Sequence, residues 1–232
     1  MPDPTTSPSP FAGWGRVPDG RAARIDATAP LRGIQLDGPG GRDRLLALDL
    51  GERGSAPVVD HWVRGPDLTV VCEPRDGRLL RATVMWRRST PTGGIDAWEA
   101  TVSAQTALLD CDATLSVVSD VEVGELLVAD AAFSWTHSAG GCPLPAGVTA
   151  TLARRPATSV LVAVHPVDLR RIDAEIRDSV ARIECRLFAS AVEKGVLLRS
   201  RVLAAIGPRS GDEAWAAALL AAFAESPAPL TT

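Results

Sequence analysis

The strongest constraint on this chain is a hydrophobic period of two. From about Arg44 to Ile206, short segments alternate apolar and polar positions and are divided by turn residues, the pattern of half-buried antiparallel strands. Clear cases are 68–72 (LTVVC), 80–86 (LRATVMW), 98–102 (WEATV) and 181–187 (ARIECRL), with Asp76 and Gly77 as a hairpin-type turn between the first two. A chain of 232 residues, 46% of them apolar, has enough material to bury a sizeable core beneath such strands.

The strand-like segments recur in order. LLALD at 45–49 is echoed by LLVAD at 126–130, and WVRGP at 62–66 by LARRP at 152–156, so that Arg64 matches Arg154 and Pro66 matches Pro156. Downstream, 68–74 matches 160–166, 79–87 matches 169–177, and 98–102 pairs loosely with 182–186. The gaps fall in turns. This predicts a mainly β fold of two similar antiparallel halves, an internal duplication packed as a sandwich or a double β domain. The halves are 44–124 and 125–206, preceded by an N-terminal tail and extended segment (1–43) with one possible strand near 31–36. A C-terminal helix and tail (207–232) follow.

Two segments need separate argument. Leu169, Ile172, Ile176 and Val180 have helical spacing, so 168–181 reads either as an amphipathic helix or as strands, and the repeat decides for strands. The final element is a helix from about Asp212 to Glu225. Trp215, Leu219, Leu220 and Phe223 share a face, and Ser210 with Glu213 forms a capping-box pattern that predicts an N-cap at Ser210. That face docks on the β core or, alternatively, on a partner.

Electrostatics names no partner. The net charge is −4 with acids and bases interspersed, and the chain lacks Tyr. It also lacks Asn, and Lys194 is its only lysine, a bias toward G/C-rich codons that explains the many arginines. The pairs Arg87-Arg88, Arg154-Arg155 and Arg170-Arg171 therefore read as solvated strand ends and not as a nucleic-acid patch. No stretch has the form of a secretory signal or a membrane span, so a cytoplasmic location is expected, with no nucleic-acid or membrane partner. In that compartment Cys72, Cys111, Cys142 and Cys185 are expected to be reduced packing thiols, without a metal or other cofactor.

Chemistry-bearing residues are few. The three histidines, His61, His137 and His165, lie in no catalytic motif, and no phosphate loop, nucleophile elbow or metal-ligand spacing is present. On a strand, Asp60, Trp62 and Arg64 share one face and His61 and Val63 the other, so an aromatic platform stands beside an acid and a base. Trp135 and His137 precede a long loop at 138–147 that interrupts the repeat, and insertions of this kind often carry binding residues. His165 and Glu73 stand at matched positions before proline and rank behind these.

The architecture of duplicated β halves is similar to that of several sugar-active sandwich enzymes, although their motifs are absent. Poverty in catalytic residue types makes a non-enzymatic module the leading expectation, one that binds a small molecule or protein or serves a structural role. The alternative is a carbohydrate-active enzyme using His61, Trp62 and Arg64 with His137 where the halves meet. A homo-oligomer through exposed strand edges is a further expectation.

Overall fold

A computed structural model describes residues 11–227, apart from 18–19, 39–40, 52–55, 90, 92, 139–143, 169 and 189–190. The strands in chain order begin with β1 (Phe11–Arg16), β2 (Ala22–Asp26), β3 (Ile34–Gly38) and β4 (Gly41–Asp49). A second run holds β5 (Val58–Arg64), β6 (Asp67–Cys72), β7 (Leu80–Ser89), β8 (Asp96–Thr106), the short β9 (Cys111–Asp112) and β10 (Leu115–Glu122). Next come β11 (Glu125–Ala129), β12 (Trp135–Ser138), β13 (Ala150–Arg154) and β14 (Thr158–Val164). The chain closes with β15 (Arg171–Arg177), β16 (Val180–Phe188), β17 (Ala191–Val192), β18 (Leu198–Pro208) and the helix α1 (Asp212–Glu225).

The fold is mainly β with one C-terminal helix, as the alternation required. A seven-stranded sheet runs β1-β2-β3-β4-β10-β16-β15, a nine-stranded sheet runs β12-β11-β13-β14-β18-β8-β7-β6-β5, and β9 pairs with β17. Every pairing among the described residues is antiparallel, and β6, β7 and β8 run without a register shift, for example Val70 with Val84 and Val84 with Val102. The inward residues of the two large sheets make one core in which Trp86 and Trp98 are the largest fully buried side chains. A buried indole N–H usually finds a hydrogen-bond partner. Trp86 Nε1 accordingly donates to the Leu46 carbonyl at 3.0 Å, fastening one sheet to the other.

Three sequence expectations need correction. Residues 11–38 supply three strands, not a tail with one, because Ala23, Ile25, Ile34 and Leu36 present an inward apolar face that the first sheet buries. Residues 171–177 are strand and Val180 opens the next one, as the repeat required. Three of the matches nevertheless fail, 45–49 with 126–130, 79–87 with 169–177 and 98–102 with 182–186, since β7 and β8 lie in the nine-stranded sheet and β15 and β16 in the seven-stranded one, while β4 and β11 are divided the other way. A period of two fixes which side chains point inward and does not say which sheet receives the strand. Last, Ser210 does not cap α1. The N-cap is Gly211 in the left-handed region, where φ is 69°, and no side chain bonds it.

What holds the helix instead is Asp212, its first residue. Its carboxylate accepts from Arg154 Nε and Nη2, both at 2.8 Å, and from Ser159 Oγ at 2.7 Å and Arg209 Nη1 at 3.0 Å. Burial alone would raise the Asp212 pKa, yet the bonds from Arg154 and Ser159 and the charges of Arg154 and Arg209 hold it below the usual carboxylate value. Arg155, expected in solvent like its neighbour, turns the other way. It reaches buried Asp43, which Arg21 Nη1 also contacts at 2.6 Å.

With this anchor, Ala216, Leu220 and Phe223 pack on Leu127, Leu152, Leu161 and Leu203, the outward residues of β11, β13, β14 and β18. Gly207 permits the approach of Trp215, whose ring would lie 2.8 Å from any Cβ placed there. Cys72, Cys111 and Cys185 are buried free thiols, and burial pushes Cys72 up to about 11. Cys142 lies outside the described residues.

Replacing Arg154 by Ala leaves Asp212 buried without its main partner. Loss of one member of a buried pair costs about 3–5 kcal/mol, so Arg154→Ala should lower the urea midpoint by the corresponding amount. Because the Asp212 pKa is depressed, its contribution exists above the unfolded carboxylate value and disappears as pH falls. The wild-type and Asp212→Asn stabilities should therefore converge on acidification.

Candidate functional site

Helix α1 covers only half of the nine-stranded sheet's outer surface. Over the other half, β5 to β8, the outward side chains are mostly polar and lie in rows set by the strand register. One row runs Arg64, Asp67, Arg87, Glu99, each opposite the next across adjacent strands. The row beside it runs Trp62, Thr69, Met85, Thr101 and ends on Arg201 of β18. Thr83 and Ser103 form the start of a third. Above these rows lies an open depression of about 460 Å³, with half-exposed Trp62 and Leu197 as its walls and hydroxyl groups in its floor.

The charged row is rigid at its centre. Arg87 donates from Nε and Nη2 to the two oxygens of Asp67, at 2.7 and 2.6 Å, the forked geometry of a strong ion pair. Glu99 is half-buried and stands beside two residues that line the depression, Arg87 opposite it and Thr101 two positions along its own strand. Burial raises its pKa, opposed by the charge of Arg201, a hydrogen bond from Thr101 Oγ1 at 3.4 Å and the charge of Arg87. Arg201 is itself buried and fixed. Its Nη1 donates to the Ser226 and Pro227 carbonyls at 3.0 and 3.1 Å, and its guanidinium stands 5.5 Å from the Phe223 ring.

The residues singled out from sequence are divided by this geometry. Trp62 and Arg64 line the depression, and Asp60 is on the same outward face but exposed beyond it. His61 stands opposite Val70 on the inward side of the edge strand. Trp135 and His137 sit on β12, at the far edge of the same sheet. Eight inter-strand spacings of about 4.8 Å put the two edges roughly 38 Å apart, so His61 and His137 do not meet. His137 is exposed and pairs with Glu125 Oε1 at 2.9 Å, and Trp135 packs against the helix-side cluster. Half of the 138–147 loop, residues 139–143, lies outside the described residues. His165 is buried under the end of α1, its ring edge-on to Phe223 at 5.2 Å, with its pKa lowered by burial and by Arg201. Among the described residues, no three His, Cys, Asp or Glu side chains stand close enough to hold a metal ion.

Asp67, Arg87, Glu99 and Thr101 were not recognised from sequence. Their signal was present in polar residues at every second position of β7 and β8, which reads as an ordinary solvent face until the register aligns the strands.

No protein-family model and no curated protein matches the chain. Among solved structures, it is similar to a Klebsiella pneumoniae protein assigned as an aldose 1-epimerase, with a TM-score of 0.55 at 11% identity, over 90% of this chain and 82% of that one. A GalM/aldose epimerase homologue from C. elegans aligns over 82% of this chain and 96% of its own, with a TM-score of 0.44 at 8% identity. The first likeness gives the chain an aldose-epimerase-like β-sandwich fold. On this likeness the leading expectation of a non-enzymatic binding or structural module does not stand.

The raised pKa of Glu99 has a thermodynamic consequence. A folded value above the unfolded one gives a contribution that is full below the unfolded pKa and is lost as pH rises through the folded pKa. Glu99→Gln, which cannot ionise, should therefore melt at a higher temperature than wild type at neutral pH, with the difference shrinking toward acid. Thermal scans across pH check this.

Proposed function

We propose that this protein is a carbohydrate-active enzyme that acts on the anomeric carbon of an aldose held in the depression over β5 to β8. The observation that carries the reading is the depression itself, lined by an aromatic wall, Trp62, and the forked Arg87–Asp67 pair, with threonine and serine in its floor. A pyranose offers an apolar face to the ring and hydroxyls to the rest. The fold likeness to a protein assigned as an aldose 1-epimerase supports the same class of substrate.

Glu99 moves the protons. A protonated carboxyl group has both functions on one side chain: its carbonyl oxygen takes the proton of the anomeric hydroxyl while its own hydroxyl proton goes to the ring oxygen. The bond between the anomeric carbon and the ring oxygen breaks, the anomeric oxygen becomes the aldehyde carbonyl, and the carboxyl group is regenerated as the acid. Reclosure from the other face reverses these transfers and gives the other anomer. Burial favours the protonated form that this step needs. Arg87 and Arg64 donate hydrogen bonds to sugar oxygens, and Asp67 accepts from sugar hydroxyls. The buried free thiols Cys72, Cys111 and Cys185 support a cytoplasmic setting.

The experiment is anomer interconversion, followed by polarimetry or NMR from pure α-D-galactose and α-D-glucose. The expected result is acceleration over buffer that declines as pH rises and Glu99 ionises. Glu99→Gln should lose about 10²–10⁴-fold in rate, the usual worth of positioned proton transfer, and Trp62→Ala should raise KM more than it lowers kcat. No acceleration, together with no perturbation of the Trp62 indole signal by either sugar, would refute the reading.

A further inference from the structure

The open sheet surface continues past the depression just described. Two residues along each strand from Thr83 and Ser103, Arg81 stands opposite Gln105 on the same outward face. Here a second depression, about 840 Å³, opens between the 73–81 turn and the segment around Lys194. From Met85 to Arg81 is four residues, or about 13 Å of strand, so the two hollows lie in line along β7 and β8.

Their chemistry differs. The second has no aromatic wall and no hydroxyl floor like the first. It brings Arg75, Arg81 and Lys194 to one place against a single carboxylate, Glu73, which pairs with Arg81 at 3.3 Å. This local excess of cations stands out on a chain whose net charge is −4. Its apolar rim is held out deliberately. Leu79 is 59% exposed and has a φ of 44°, a left-handed backbone unusual for leucine. Such strain persists only where the surroundings over-determine it. Buried Arg78 supplies the restraint, donating to Asp76 Oδ2 at 2.6 Å, the Thr114 carbonyl at 3.1 Å and the Leu50 carbonyl at 2.5 Å, while Thr106 Oγ1 donates to the Arg78 carbonyl at 3.1 Å.

We infer that the second depression is a subsite for an anionic sugar unit, so that the ligand spanning the two hollows is an acidic oligosaccharide with one end at Trp62. This rests on the sugar-active reading of the first depression. Arg75, Arg81 and Lys194 take the acidic group, and Leu79 supports the apolar face of the ring that carries it.

The test is calorimetric titration with trigalacturonate, galacturonate and maltotriose. Trigalacturonate should bind at least roughly tenfold more tightly than galacturonate or maltotriose, with an advantage that added salt reduces. In a variant carrying Arg75→Ala, Arg81→Ala and Lys194→Ala, the ratio of trimer to monomer affinity should collapse toward one. Equal affinity for trigalacturonate and maltotriose, or an unchanged ratio in the triple variant, overturns the inference. The two readings fail differently. Monosaccharide binding without any gain for the trimer overturns the subsite alone. Trimer binding that ignores Trp62→Ala but is lost in the triple variant keeps the anionic subsite and removes the sugar-active reading of the first depression. No binding of any of the three removes both.

Discussion

Two adjacent arginines at the end of β13 hold the molecule's layers together. Neighbouring residues on a strand project to opposite sides, and here each side has a buried carboxylate waiting. Arg155 meets Asp43, which also binds Arg21 and accepts from the Glu122 amide at 3.0 Å, so the first sheet, the N-terminal strands and the β13–β14 turn share one charge centre. Arg154 meets Asp212 and fixes the start of α1. A buried ion pair is weak evidence of net stability, because removing charge from water is costly. Its value here is positional, since a helix shifted along the sheet would strand Asp212 without its partners.

The position of α1 in turn decides where chemistry is possible. Beneath it, the outward residues of the sheet are alanine and leucine, and a second apolar layer forms. Beyond it they are mostly arginine, aspartate, glutamate, threonine and serine, with Trp62 and Met85 among them. Arg201 marks the boundary, bound on one side to the residues that end the helix and acting on the other upon Glu99. The same sheet is thus a core component at one end and a working surface at the other.

Much of this was legible from sequence, and the failures share one cause. The alternation gave the strands, the spacing of Trp215, Leu219, Leu220 and Phe223 gave the helix and its docking face, and parity along β5 put Trp62 and Arg64 together on the outside. Each rests on local periodicity. The Ser210 cap failed because Asp212 had better partners 53 and 58 residues away. The match of 79–87 to 169–177 failed because alternation is identical in both sheets. Glu99 was missed because a carboxylate on a strand becomes unusual only when Arg87, Thr101 and Arg201 are brought around it by pairings that local pattern does not contain.

Both large sheets end in open strands, and the residues there bear on how the protein behaves when crowded. An unpaired strand edge is a template on which another chain can add. At the outer edge of the nine-stranded sheet, β5 is bracketed by Pro57 and Pro66 and carries Asp60 and Arg64, while β12 at the other end is only four residues long. At one end of the seven-stranded sheet, β15 alternates Arg171, Asp173, Glu175 and Arg177, with ion pairs of 2.6 Å between Arg171 and Asp173 and between Arg177 and Glu175. Charge, proline and brevity at these three borders oppose the growth of either sheet from molecule to molecule, so a fold made almost wholly of strands carries its own barrier against becoming a fibre.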